Sequence, residues 1–136
     1  MLDSVLKKLF PCKTILDACA PETGPLLLRY IILKRPSFAI FIHHLMRSDY
    51  DRCLHDHPWS FLTWRLGPYI EHTERGAFPR RRFSIGWRPA EFKHRLQMDR
   101  PVWTVVLRFR YQRVWGFWPN GLFVAWNKYL SSGCGD

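Results

Sequence analysis

The spacing of apolar positions changes once along this chain. Over residues 2–10, Leu2, Val5, Leu6 and Leu9 recur at three- and four-residue intervals, the spacing of one helical face. Asp3 or Ser4 can cap such a helix and Pro11 stops it, so a short amphipathic helix packed on the body is predicted. Pro21-Glu22-Thr23-Gly24-Pro25 then breaks the chain. From there short runs rich in Ile, Val, Leu, Phe and Trp alternate with turn residues, the pattern of strands. Strands are predicted at 26–33, 38–46, 54–66, 68–74, 81–87, 91–97, 102–110, 112–118 and 121–126. Reversals are expected at Gly67-Pro68, between Gly76 and Pro79, at Asp99-Arg100-Pro101, and at Pro119-Asn120-Gly121, where Asn-Gly fits a tight turn.

Many short strands and one short helix predict a single all-β domain, a barrel or sandwich. Its parts are an N-terminal helical extension over 1–24, the β-domain over 25–130 and a flexible tail over 131–136. The 136 residues, 47% hydrophobic with seven tryptophans, are enough to fill such an interior. No apolar stretch approaches the roughly 20 residues of a membrane-spanning helix, so no span is expected. Cys12, Cys19, Cys53 and Cys134 form no C-x-x-C pair, and no long apolar leader precedes them, which points to a reduced, cytoplasmic setting. A net charge of +10 predicts attraction to an anionic small molecule or to nucleic acid. Arg80-Arg81-Arg82 reads as a solvated turn or a phosphate contact, and with Arg108, Arg110 and Arg113 it would make the footprint of a single-strand-binding module.

The chemistry concentrates in Cys53-Leu54-His55-Asp56-His57-Pro58-Trp59. On an extended strand His55 and His57 point to the same face and can present two imidazoles to one metal ion. His94, in Pro89-Ala90-Glu91-Phe92-Lys93-His94, is placed to return on a later strand and complete a set of three. Three histidines with open positions make a catalytic rather than a closed structural site. Hydrolase elbows, phosphate-binding glycine loops and H-E-x-x-H are missing from the sequence.

These residues resemble the two motifs of the cupin superfamily, small β-barrels with an H-x-H motif followed by a glutamate and a glycine, and a second P-x-G-x-x-H motif. His55, His57 and Gly67 match the first, Pro89 and His94 the second, and the likeness covers roughly residues 25 to 126. His55-Asp56-His57-Pro58-Trp59, Arg88-Pro89-Ala90 with His94-Arg95, and Trp115-Gly116-Phe117 are similar to a little-characterised group of cupin-like proteins of bacteria and phages. The resemblance implies a double-stranded β-helix, or jelly roll, with a mononuclear metal site. It departs from the pattern where cupins place a metal-binding glutamate, here Phe61 or Leu62, and where Glu91 replaces the second motif's glycine. The site is therefore expected to be a three-histidine one, as in the thiol dioxygenase branch, or to take a fourth ligand from elsewhere, with Glu71 the first choice.

Around it, Trp59 shares the parity of the ligands and is expected to wall the pocket, and Arg65 and Arg95 are candidates to anchor a substrate anion. Asp56 faces away from its neighbours and reads as a supporting or surface group, while Cys53 reads as a small buried hydrophobe. Only one of His43 and His44 can face the interior. Divalent Fe(II) is the first expectation for the metal, with Zn, Ni, Cu or Mn open. The expected function is a metal-binding protein with a three-histidine mononuclear site, an oxygenase or other metal-dependent enzyme if it turns over a small molecule, and a homodimer through an edge strand is left open. The alternative is a non-catalytic module for an anionic ligand or single-stranded nucleic acid.

Overall fold

The computed structural model describes residues 1–17, 21–49 and 53–131. Helix α1 (Leu2–Leu9) leads into strand β1 (Cys12–Leu16), and a 3-10 turn at Pro21–Thr23 leads into β2 (Pro25–Lys34) and β3 (Phe38–Leu45). Strands β4 (Phe61–Arg65), β5 (Tyr69–Thr73), β6 (Gly76–Arg80), β7 (Ile85–Arg88), β8 (Arg95–Gln97) and β9 (Val102–Phe109) follow. A ribbon of β10 (Gly116–Phe117) and β11 (Val124–Ala125) and helix α2 (Trp126–Ser131) complete the described chain. Six strands form one sheet in the order β1-β2-β3-β9-β4-β7, and three form a second, β6-β5-β8. The all-β barrel with a short N-terminal helix is the architecture expected from the sequence, and no described helix is long and apolar enough to cross a membrane.

Period-two alternation decides which residues face inward. In β3, Ala39, Phe41, His43 and Leu45 are buried while their neighbours are not. The antiparallel register carries that face across the sheet, setting Arg29 opposite His43, and Thr104 and Val106 opposite His43 and Phe41. Ala39, Phe41, Phe61 and Val106 make one interior cluster with Ile31 and Trp59. Leu45 and Val102 of the large sheet meet Tyr69 of the small one in another, joined by Leu27, Leu96 and Met98, so the two sheets close on each other. Each such aliphatic or phenyl side chain contributes about 1.5–3 kcal/mol by leaving water.

The outer face of β2 is covered by α1, whose Leu6 packs on Leu28 and Tyr30. Asp3 is not the cap expected of it, since Met1 holds that position. Its carboxylate instead accepts hydrogen bonds from the Tyr30 hydroxyl and from His44 Nδ1, the latter at 2.8 Å, and ties the helix to the sheet.

Several strand predictions are corrected. The extension over 1–24 contains β1, an edge strand of the main sheet whose polar Lys13 and Thr14 gave no apolar pattern; its order comes from pairing with β2. The predicted strand 54–66 narrows to β4, because Pro58 has no N–H to contribute to a ladder. The strand predicted at 81–87 is β7, Ile85–Arg88, and the reversal expected between Gly76 and Pro79 falls instead at Glu74-Arg75. Residues 76–80, with Gly76 and Pro79, form edge strand β6, where proline is tolerated, and Phe83, at φ 65°, lies in the turn before β7. The strand at 91–97 shortens to Arg95–Gln97, 112–118 to Gly116–Phe117 and 121–126 to Val124–Ala125. The turn at Asn120-Gly121 stands, both residues having positive φ, and the reversal pairs Phe117 with Val124. Of the predicted tail, Ser131 ends α2 and 132–136 lies outside the described residues, as do Cys19 and Cys134.

Candidate metal centre

His55 stands opposite His94 in an isolated antiparallel bridge, each donating its backbone N–H to the other's carbonyl at 3.0 Å. The next two residues are gripped in the same way, Asp56 N–H by the Gly116 carbonyl at 3.0 Å and His57 N–H by the Ala90 carbonyl at 2.9 Å. Two segments, the connection between β7 and β8 and the strand that carries Gly116, thus hold three consecutive residues. The Asp56 side chain faces away from the histidines and is fully buried. It accepts hydrogen bonds from Gly116 N–H at 2.8 Å, from the Trp118 indole at 2.9 Å and from Arg113. A carboxylate that neutralises a guanidinium and fills its other lone pairs can be buried without a large penalty. Asp56 therefore locks residues 113–118 behind the His55-Asp56-His57 segment.

The three imidazoles converge. Ring centroids lie 5.2 Å apart for His55 and His57, 5.1 Å for His55 and His94, and 4.9 Å for His57 and His94. One ring nitrogen of each lies within 4.8 Å of the other two, the only such group of possible metal ligands among the described residues. His57 has a buried Nδ1 with no hydrogen-bond partner, an arrangement costing about 1–3 kcal/mol unless something satisfies it. Burial, reinforced by His94 and His55, pushes its pKa well below the usual histidine range. The ring is held neutral, the form that donates a lone pair. The donor set and this orphaned nitrogen fit a divalent transition ion.

Glu71 takes a different place from the one expected. Its carboxylate is 1% exposed, and Oε2 lies 2.7 Å from His94 Nδ1, so it stands behind the ring rather than among the converging nitrogens. Arg80 Nε donates to it at 2.9 Å and Arg88 Nε at 3.0 Å. Burial opposes ionisation, but the hydrogen bonds from His94 and Arg88 outweigh it and hold the carboxyl well below its usual range. An ionised Glu71 accepts from Nδ1–H, which fixes the His94 tautomer and leaves Nε2 with its lone pair.

These groups open onto a cavity of about 410 Å³ between the sheets. Its walls are largely apolar, including Leu27, Phe61, Trp115 and Phe117, and Trp59 lines it 5.8 Å from the His57 ring. Cys53 reaches the cavity but stands outside the three-histidine group. The two expected anion anchors lie elsewhere. Arg65 is inward but 2% exposed, donating to the Tyr69 hydroxyl at 2.8 Å and to Ser84 Oγ at 3.0 Å beneath Gly86, where an added Cβ would come within 2.4 Å of its guanidinium. Arg95 is paired with His72 on the outer face of the small sheet. The proposed nucleic-acid footprint is also dispersed, Arg80 binding Glu71, Arg113 binding Asp56 and Arg82 the Leu66 carbonyl at 3.0 Å.

Of the histidine pair, His43 faces in and His44 out. His43 Nε2 accepts from Arg29 Nε at 2.9 Å, and both line the cavity. Arg29 is a residue the sequence reading missed. Its signal was parity: it falls between Leu27 and Ile31 on the inward face of β2.

No protein-family model matches this sequence, and no curated protein is significantly similar to it. Among solved structures, similarity extends to the Fe(II) form of HppE, at 8% identity over 75% of this chain with a TM-score of 0.60, the chain spanning 57% of that protein's length. An RmlC-like cupin from Shewanella frigidimarina is similar at 10% identity, covering 78% of this chain and 88% of its own, TM-score 0.59. A sugar phosphate isomerase of the cupin superfamily from Silicibacter pomeroyi is similar at 13% identity, 86% and 79% coverage, TM-score 0.58.

Proposed function

We propose that this chain, which has the cupin fold, holds one divalent transition metal through His55, His57 and His94 and uses it on a small molecule bound in the central cavity. The observation that carries the reading is the convergence of three ring nitrogens, one from a neutral buried histidine and one oriented by an ionised glutamate. HppE holds Fe(II) on the same fold, which makes Fe(II) the first metal to try, before Zn, Ni, Cu and Mn. A metal there would supply Lewis-acid or dioxygen-activating chemistry at its open positions. The protein's own part is to hold the His57 imidazole neutral, to orient His94 through Glu71, and to enclose the substrate between apolar walls that keep bulk water away.

The test is metal content of protein purified without an affinity tag, beside a variant with His55 and His57 both changed to Ala. Near-stoichiometric metal in the wild type and none in a folded double variant is the expected result. Wild type that carries no metal and takes up none of these five ions would overturn the reading.

A further inference from the structure

A second, smaller cleft of about 280 Å³ adjoins the central cavity and shares Arg29 and Trp59 with it. Its remaining lining is Lys34, Pro36, Phe41, Arg108 and Tyr111. Three of these seven residues are cationic and none is acidic.

The backbone gathers the cations on purpose-built positions. A bulge in β2 between Ile31 and Leu33 shifts the register by one residue, so Lys34 stands opposite Ala39 rather than Phe38. Ala39 is an inward position and is also opposite Arg108 on its other side. Lys34 and Arg108 therefore flank a buried alanine in one cross-strand row, with about 4.8 Å from each strand to the next. A methyl group between two long cationic side chains leaves open space between them. Arg29 completes the group from the same face of β2, its guanidinium 4.7 Å above the Phe41 ring.

Buried or half-buried arginines ordinarily find a carboxylate. Arg47, Arg80, Arg88 and Arg113 each have one, and buried Arg65 is held instead by Tyr69 and Ser84, whereas no ion pair to a described residue joins Arg29, Lys34 or Arg108. Arg29 spends one N–H on neutral His43, and Arg108 one on the Phe109 carbonyl at 3.2 Å. Burial, and then the charge of Arg108, lower the Arg29 guanidinium to about 10, which leaves it charged at neutral pH. Like charges assembled without a counter-ion in a concave site, beside two aromatic walls, describe a receptor for an anion with an organic body.

We propose that this cleft docks the phosphate group of a phosphorylated small molecule, whose remainder passes Trp59 into the central cavity. Three cations match a dianion better than a single carboxylate, and Trp59 and Tyr111 offer faces for a ring. The direction of the ligand rests on the metal-centre reading; the anion site itself does not.

The test is calorimetric titration of metal-free protein with phenyl phosphate and with benzoate. Phenyl phosphate is expected to bind at least tenfold more tightly. Arg108→Gln and Arg29→Gln should each weaken it about tenfold or more, the loss of one charged hydrogen bond. Lys34→Gln, at an exposed position that cannot unfold the barrel, should weaken it severalfold, and Arg100→Gln on the surface should leave it unchanged. The proposal is overturned by wild type that ignores phenyl phosphate, by equal binding of the two probes, or by wild-type affinity in both Lys34→Gln and Arg108→Gln. A single-stranded oligonucleotide that displaces phenyl phosphate at far lower concentration would overturn it in favour of a nucleic-acid module. Metal uptake is measured on the same variants and is expected to persist. Phosphate binding without metal uptake would therefore sink only the metal-centre reading.

Discussion

Replacing Glu71 by Gln changes one atom and tests how the His94 ring is aimed. In the wild type the carboxylate accepts from His94 Nδ1 at 2.7 Å and from Arg80 and Arg88. Glutamine has one acceptor oxygen, which the two arginines claim, and its amide nitrogen can only donate. His94 Nδ1 must then accept, its proton moves to Nε2, and the nitrogen needed for the metal is blocked. Loss of such a supporting partner costs about 10–100-fold in metal affinity, roughly 1.4–2.7 kcal/mol. Stability falls too, because the Arg88 guanidinium, with 11% of its side chain exposed, loses its counter-charge. Breaking a buried pair costs about 3–5 kcal/mol, and the greater exposure of Arg80 places the expectation at the lower end, about 3 kcal/mol. The sign with pH follows from the lowered Glu71 pKa. The carboxylate's contribution is complete above the unfolded value of 4.5 and drains away as the pH falls below it, so the gap between wild type and Glu71→Gln narrows in acid. The assays are competitive titration of Fe(II) or Zn against a chelator, and thermal melts of metal-free protein at pH 7 and pH 3.5. A folded Glu71→Gln protein with wild-type metal affinity would refute the tautomer argument, whatever its melting temperature.

Two further outcomes follow from buried groups outside the ligand set. His43 is 7% exposed and its pKa is pushed well below 6.5, first by burial and then by Arg29. The unfolded chain therefore takes up a proton that the folded chain refuses, and His43 costs stability as pH falls below 6.5, about 1.4 kcal/mol by pH 5.5. Chemical denaturation of wild type and His43→Gln at pH 8 and pH 5.5 checks this, since the contribution of His57 is common to both; parallel losses would refute it. Asp56→Asn keeps the shape but places an amide among three donors, from Gly116, Trp118 and Arg113, and leaves Arg113 without its counter-charge. About 3 kcal/mol of stability should be lost, with faster amide exchange at Gly116 and Trp118; an unchanged exchange pattern would show that Asp56 does not hold that segment.

The elements that could be read from the chain are those whose order is local. β3 alternates inward Ala39, Phe41, His43 and Leu45 with outward neighbours, and β9 alternates Val102, Thr104 and Val106 likewise, so their faces were written in the period of the sequence. The H-x-H pair was legible for the same reason, two residues apart being one pleat. What was not legible depended on partners. β1 has no apolar pattern of its own and is a strand because β2 offers it an edge. Residues 54–58 look extended but are held by backbone bonds to His94, Gly116 and Ala90, which no local spacing announces.

The same division runs through the candidate site. The sequence by itself determined that three histidines, a proline-led second motif and a basic, aromatic-rich β-domain belong to one molecule. Only the tertiary structure decided their roles. It put Glu71 behind His94 instead of beside it, because β5 and β8 bring an inward carboxylate against Nδ1 rather than toward the converging nitrogens. It took Arg65 and Arg95 out of the pocket, one beneath Gly86 and one on the outer sheet face. It brought Arg29 in, and a one-residue bulge turned Lys34 to the same side as Arg108. A side chain's type is set by its codon, but whether it meets a proton, a metal or an anion is set by register, and register is a property of strands that meet only after folding.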